Sequence, residues 1–142
     1  MSRGVTLVEL LLVLVLIGIL TALGGRRFAG TLDRLAVDRA ARDLMAAHLR
    51  ARLTAITEGQ HSLLIVTADS LVIRLGESAD SAPLWWGTGA AVEGVTLVGP
   101  SRPITFAPTG VTIGFANATY SLRRGEASRQ VVVSRWGRVR LE

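Results

Sequence analysis

The constraint that governs this chain is an apolar run from Val5 to Gly25, 21 residues that carry a single charge, Glu9. As an α-helix rising about 1.5 Å per residue, the run reaches about 31 Å, enough to span a bilayer core. Only Met1-Ser2-Arg3-Gly4 stands ahead of it, and Arg26-Arg27 follows, with side chains long enough to snorkel to headgroups. More Arg follows the run than precedes it, so the flanks run against the positive-inside pattern for a cytoplasmic N-terminus. Two readings compete. A secretory signal peptide would be cut at the small residues of Ala22-Leu23-Gly24, but 21 residues exceed the usual apolar region of about 7–15, and a carboxylate does not belong in one. A retained helix must instead account for Glu9. An unpaired carboxylate among Val and Leu costs on the order of 3 kcal/mol even on insertion scales. Glu9 therefore has to be neutral, paired or functional.

The whole chain has 142 residues, room for one domain and not for two ordinary cores. A 49% hydrophobic composition, a mean hydropathy of +0.42 and 19% charged residues exclude disorder. With no cysteine, a disulfide scaffold, a thiolate metal site and a thiol nucleophile are excluded as well. The net charge of +5 comes from 16 basic residues that are all Arg. Residues 26–60 carry seven Arg against four acids, 61–120 two against four, and 121–142 six against two, so the C-terminal end is the basic pole.

After Arg27 the pattern becomes periodic. Val37, Ala41, Leu44, Met45, His48, Leu49, Leu53 and Ile56 recur at spacings of three and four, the face of a helix that packs on a domain. Arg34, Asp38, Arg42 and Arg52 fall largely on the other face, with Asp38 and Arg42 an i, i+4 pair. Gly59 is a stop signal, so one helix is expected from Val5 to Glu58. Gly18 and Gly24-Gly25 suit either bending of that helix or close packing against another. His48 and His61 have no carboxylate at ligand spacing and read as structural or surface residues.

Beyond Gly59, β-branched runs alternate with turn residues. His61–Thr67 and Ser70–Leu75 flank Ala68-Asp69 as a hairpin. Further strands are expected at Val95–Val98, Ile104–Phe106, Val111–Phe115, Thr119–Leu122, Gln130–Ser134 and Gly137–Leu141, an antiparallel arrangement. Gly76–Gly94, with Pro83, Trp85 and Trp86, reads as a long loop. Either its tryptophans form an exposed binding patch, or one fills the helix–sheet seam and the other is half exposed. No nucleophile elbow, phosphate-cradling glycine loop or paired-carboxylate pattern occurs, so neither an enzyme nor a cofactor or metal is expected.

The stretch Gly4-Val5-Thr6-Leu7-Val8-Glu9-Leu10-Leu11 and the apolar residues after it resemble the class III leader of type IV pilins and type II secretion pseudopilins. The resemblance implies cleavage by a prepilin peptidase between Gly4 and Val5, N-methylation of Val5, and a Glu9 that pairs with the amine of a neighbouring subunit to set register during assembly. The departure from the family pattern is Val5, where the family usually has Phe. Two buried opposite charges on adjacent helices each cost several kcal/mol alone and become tolerable only when they meet.

Ile104-Thr105-Phe106-Ala107-Pro108-Thr109-Gly110, Ser128-Arg129-Gln130-Val131-Val132-Val133-Ser134 and Gly137-Arg138-Val139-Arg140 are similar to the GspH/FimT family of minor pseudopilins and minor pilins. That resemblance implies an α+β, type IV pilin-like lollipop: leader 1–4, transmembrane and filament-core helix 5–25, and, over 26–142, an amphipathic helix packed on an antiparallel sheet head. It implies a single-pass protein of the bacterial inner membrane with its head in the periplasm, assembling with other pilin or pseudopilin subunits into a periplasmic or surface filament. As a GspH-like subunit it would serve a type II secretion system, its basic surface meeting sister subunits or a secreted protein. Gly137-Arg138-Val139-Arg140 also resembles the GRxR signature of the FimT branch, which binds DNA for uptake. On a strand Arg138 and Arg140 share a face where two guanidiniums can grip successive phosphates. Arg123, Arg124, Arg129 and Arg135 would enlarge that patch, with Trp136 as a stacking platform. The competing reading is a terminal strand whose wet face is filled with Arg for solubility. The mature N-terminal peptide from native membranes is expected to begin at a methylated Val5 by mass spectrometry; a start near Gly25 would return the signal peptide.

Overall fold

The computed structural model describes residues 5–76, 78, 80–114 and 117–142, and for residues 23–28 the helical backbone alone. The chain divides into two compact units, residues 1–32 and 33–142.

The first unit holds the start of a single helix, α1, that runs Leu7–Glu58. It starts at Leu7, behind a cap at Thr6, rather than at Val5. The Glu9 N–H donates to Thr6 Oγ1 at 3.3 Å, a side-chain cap on an otherwise orphaned donor, and Glu9 is the acidic residue of the first turn. Apolar side chains from Leu7 to Leu20 lie exposed along it. Thr21 returns its hydroxyl to the Ile17 carbonyl at 2.8 Å, which satisfies the polar group inside the helix. A Cβ at Gly18 would meet nothing within 4 Å, so that glycine makes no close contact within this chain. Among the described residues no helix is long and apolar enough to cross a membrane. The last three residues of the sequence-expected span, 23–25, have no described side chains.

In the second unit the helix changes character. Ala36, Val37, Ala40, Ala41, Leu44, Ala47, His48, Ala51 and Ala55 are buried, recurring at spacings of one, three and four as one face of a 3.6-residue helix must. The face is narrower in volume than the sequence pattern suggested. Leu49, Leu53 and Ile56, expected to pack inward, are exposed at 46%, 59% and 45%. Hydrophobicity favours Leu at a buried position, but a helix pressed closely onto strands leaves room only for small side chains, and alanine takes the contact. The helix stops where expected, with Gly59 at φ +61°, in the left-handed region open to glycine.

Two antiparallel sheets follow. The first contains β1 (Ser62–Val66), β2 (Ser70–Leu75), β3 (Pro83–Thr88), β5 (Ile104–Phe106) and β6 (Thr112–Ile113) in the order β3-β2-β1-β5-β6. The second contains β4 (Thr96–Val98), β7 (Ala118–Arg124), β8 (Ala127–Val133) and β9 (Val139–Leu141) in the order β4-β7-β8-β9. Both send large side chains into one core with the alanine face: Leu64, Ile73 and Phe106 from the first, Tyr120, Leu122 and Val131 from the second. Each such burial contributes roughly 1.5–3 kcal/mol relative to exposure. The expected β1–β2 hairpin forms, with Leu64 opposite Ile73.

The segment expected as a loop, 76–94, contains β3 and a 3₁₀ turn at Ala90–Glu93. Its Pro and Gly content misleads for two physical reasons. Pro83 is the first residue of an edge strand, where a missing N–H costs nothing. Gly87 is bare because the Trp85 ring lies over it and would overlap a Cβ. Adjacent strand residues point to opposite sides, so Trp85 packs partly buried against the core, with the Arg50 guanidinium 5.0 Å above its ring, while Trp86 is 61% exposed. Of the two tryptophan readings, the seam-filling one describes this arrangement. Phe115, the last residue of the expected Val111–Phe115 strand, lies outside the described residues.

The alanine face makes a direct prediction. Ala51→Leu, at a position with no exposed surface, should cost about 1–3 kcal/mol by overpacking, whereas Leu53→Ala should stay within about 0.5 kcal/mol. Denaturant unfolding of the full chain in detergent measures both, and the reverse order would contradict the packing.

Candidate functional site

Gly4 lies outside the described residues, and Val5 precedes the helix with 66% of its surface exposed. Glu9 is exposed in the first turn, one helical turn past Thr6. The sequence spacing Thr6-x-x-Glu9 ahead of an apolar run is the signal that could have located this cap.

The six arginines of the C-terminal end do not form one patch. β7 and β8 pair with Ala118 opposite Val133 and Arg124 opposite Ala127, and alternation then sorts every side chain. Ala118, Tyr120 and Leu122 point to the core, so Arg124 points to the helix side, and there Arg124 Nε meets Asp33 Oδ1 at 2.9 Å. Arg129, opposite buried Leu122, faces the same way and meets Asp38 Oδ1 at 2.9 Å. Asp38 thus directs its carboxylate to β8 and not to the Arg42 that helical spacing suggested. Arg123 points outward from β7. On β9, Arg140 lies opposite Val132, so Arg140 and Arg138, two residues apart, share that same outer face. Arg123, Arg138 and Arg140 therefore share one face, with Arg138 and Arg140 adjacent and Arg123 at the opposite end of the sheet, while Arg124 and Arg129 are turned away and paired.

Arg135 and Trp136 sit at the tip of the β8–β9 turn, both exposed, Trp136 at 69%. The turn is closed by the Gly137 N–H to the Ser134 carbonyl at 3.0 Å and the Ser134 N–H to the Arg138 carbonyl at 2.8 Å. Its end is held too, since Gln130 and Glu142 exchange backbone bonds at 2.7 and 2.8 Å. Opposite Gln130, Glu142 accordingly falls on the same face at a level between Arg140, opposite Val132, and Arg123, opposite Ser128.

Two further polar groups are buried beneath these strands. His48 is 1% exposed, and its Nε2 lies 3.2 Å from the Gly137 carbonyl. Burial lowers its pKa from the ordinary histidine value; the bond to Gly137 acts in the opposite sense, and the Arg52 charge adds to the lowering. Burial likewise raises the Tyr120 hydroxyl, against the nearby Arg102 charge. Among the described residues no three His, Cys, Asp or Glu side chains gather as a metal site would require.

A long N-terminal helix whose second half carries two antiparallel sheets is the fold of pilin-like proteins, and comparison with known proteins agrees. Type IV minor pilin FimU of Pseudomonas aeruginosa PAO1 matches with a TM-score of 0.65 at 23% identity, over 77% of this chain and 90% of that one. The minor pseudopilin EpsH of the Vibrio cholerae type 2 secretion system matches at 0.54 and 16% identity, over 75% and 95%. At such identities these likenesses bear on the fold. In sequence, the pilin-like protein PilA1 of Thermus thermophilus is 34% identical over 155 aligned positions, 99% of this chain and 98% of that protein. The family model for the type II transport protein GspH matches residues 40–137. The chain belongs to the GspH family and is a pilin-like protein. The matched range ends at Gly137, one residue short of Arg138.

Proposed function

We propose that this protein is a minor pseudopilin of the GspH type, a structural subunit of a type II secretion filament that is made as a membrane-anchored precursor. The observation that carries the reading is the first part of α1: apolar side chains exposed from Leu7 to Leu20, with Glu9 among them, on a helix whose later part is buried under its own sheets. Such a surface is stable only in lipid or against other helices, and the pilin pathway supplies the two in succession. In this reading a prepilin peptidase cuts between Gly4 and Val5 and methylates Val5, residues 5–25 hold the protein in the inner membrane with the head in the periplasm, and the helix then moves into a bundle of sister subunits. Glu9 sets the stagger by meeting the Val5 amine of a neighbour, since neither charge is tolerable alone in an apolar bundle. The chain's own chemistry is assembly and not catalysis. Glu9→Ala should leave cleavage intact, as followed by N-terminal mass, while filament incorporation falls on immunoblots of sheared filaments; normal incorporation would sink the register role.

One observation favours a second reading, a FimT-like minor pilin that binds DNA. Arg123, Arg138 and Arg140 share the outer face of the second sheet, with Arg135 and Trp136 at its end. Guanidiniums on one strand face suit successive phosphates, and an exposed indole suits base stacking. On this reading Arg138→Ala and Arg140→Ala should each weaken binding uniformly across sequences and reduce the slope of log affinity against log salt by about one, whereas Arg129→Ala should change neither. Equal losses at all three positions would point to bulk charge alone.

A further inference from the structure

His48 is where the small, apolar face of α1 is interrupted. Its neighbours one turn away on that face are Leu44 and Ala51, with Ala55 a turn further on, all buried, and an imidazole among them surrenders its hydration. What it obtains is one long-range bond, across 89 positions of chain, to the carbonyl of Gly137. A carbonyl only accepts, so Nε2 must donate and the neutral ring must leave Nδ1 bare. Nδ1 is buried and has no hydrogen-bond partner. The Phe106 ring of β5 meets the imidazole edge to face at 4.9 Å, which supplies packing and no acceptor.

Gly137 is pinned from a second side. It stands at φ +68°, and a Cβ there would lie 2.7 Å from the carbonyl oxygen of Gly110, in the connection between β5 and β6. Thr112 Oγ1 of β6 donates to the Arg135 carbonyl at 2.8 Å. The β8–β9 turn is therefore clamped between the first sheet, through Gly110 and Thr112, and the helix, through His48. The residues so positioned are Arg135, Trp136 and Arg138, with Arg140 following on β9.

We propose that His48 is a proton-sensitive latch that positions the Arg135–Arg140 segment, holding it in place when the ring is neutral and releasing it when the ring is protonated. A second proton has only Nδ1 to occupy, which would put a donor without an acceptor and a full charge into the packed junction. The charged and titratable groups around it add to that penalty. On its own helix the neighbour is Arg52, a cation one turn on, whose Nε is itself buried without a partner. β5 offers the Phe106 ring, the β5–β6 connection offers Gly110, and the turn offers Arg135 and Arg138, two more cations whose side chains are exposed. Protonation is thus opposed by burial first and by Arg52 second, and favoured only by the existing bond. The released chain binds the proton more readily than the latched one. The latch therefore contributes fully above about pH 6.5, the ordinary histidine value, and is lost as pH falls below it toward the lowered folded value. The inference concerns how the segment is held and does not depend on what it binds.

The test is amide hydrogen exchange by mass spectrometry on the full chain in detergent micelles, at about pH 7.5 and about pH 5, with rates normalised to intrinsic exchange. β7, Ala118–Arg124, serves as the internal reference for global stability. In the unaltered protein, protection of residues 134–140 should fall on the order of tenfold at the lower pH while β7 holds. His48→Gln, which keeps a donor near Nε2 and cannot titrate, should keep the protected segment at both pH values. His48→Leu should leave it unprotected at both. Equal loss in β7 and in the segment, a pH response that survives in His48→Gln, or full protection in His48→Leu would each overturn the latch. If His48→Leu does not fold, the loss of pH response in His48→Gln decides alone. Because no ligand is present, failure of the secretion or the DNA reading would leave this result untouched.

Discussion

Everything in the second unit depends on how closely one helix face can approach two sheets. Alanine at 36, 40, 41, 47, 51 and 55 gives α1 almost no side-chain height on that face, so the strands can come near its backbone. The bulk that fills the core then has to come from the other side, and it does: Leu64, Ile73 and Phe106 from one sheet, Tyr120, Leu122, Val131 and Val133 from the other. The division explains why Leu49 and Leu53, better core residues by hydrophobicity, stand outside. It explains the position of the ion pairs as well. Asp33 and Asp38 bracket the start of the alanine face and hold the β7–β8 hairpin through Arg124 and Arg129, in half-exposed settings where such pairs are worth about 0–1 kcal/mol each. Packing carries the stability, and the ion pairs join the β7–β8 hairpin to that end of the helix.

Much of this was legible in the sequence because it is local. A charge-poor run, the glycine that stops the helix, the β1–β2 hairpin and the Ile104–Phe106 strand each depend on residues a few positions apart. The leader and the motifs around Gly110 and Gly137 also led to the family that the comparisons bear out. What was not legible depends on partners far away in the chain. β3 looks like a loop until β2 supplies its pairing and Trp85 explains Gly87. The arginines looked like one patch until the register of β7 with β8 separated Arg124 and Arg129 from Arg123. His48 looked idle because its acceptor is 89 residues on. Alternation is a strong rule, but it says which residues share a face and not which face is wet.

The two sheets of the head consequently differ in what they offer. The first presents Trp86 and Ile113 outward, exposed at 61% and 47%, and the second presents Arg123, Arg138 and Arg140. A single small domain thus carries one surface with apolar side chains and one cationic surface, each on a rigid sheet, while the helix is left to the work of assembly. That arrangement suits a subunit whose shared part must resemble its neighbours and whose head must differ from theirs.

Thr6 fixes where the helix begins, and that has an electrostatic consequence for maturation. Aligned peptide dipoles place roughly half a positive charge at the first turn of α1, whether or not residues 1–4 are present. If cleavage frees the Val5 amine, an ammonium is added just outside that already positive end, a repulsion of the order of 0.3–1 kcal/mol in an exposed setting and larger in lipid. Glu9, in the same turn, is the one carboxylate near enough to offset both. Before any neighbour arrives, its charge can already balance its own helix, and in the proposed assembly a partner's amine would have to compete with a helix terminus for the same carboxylate.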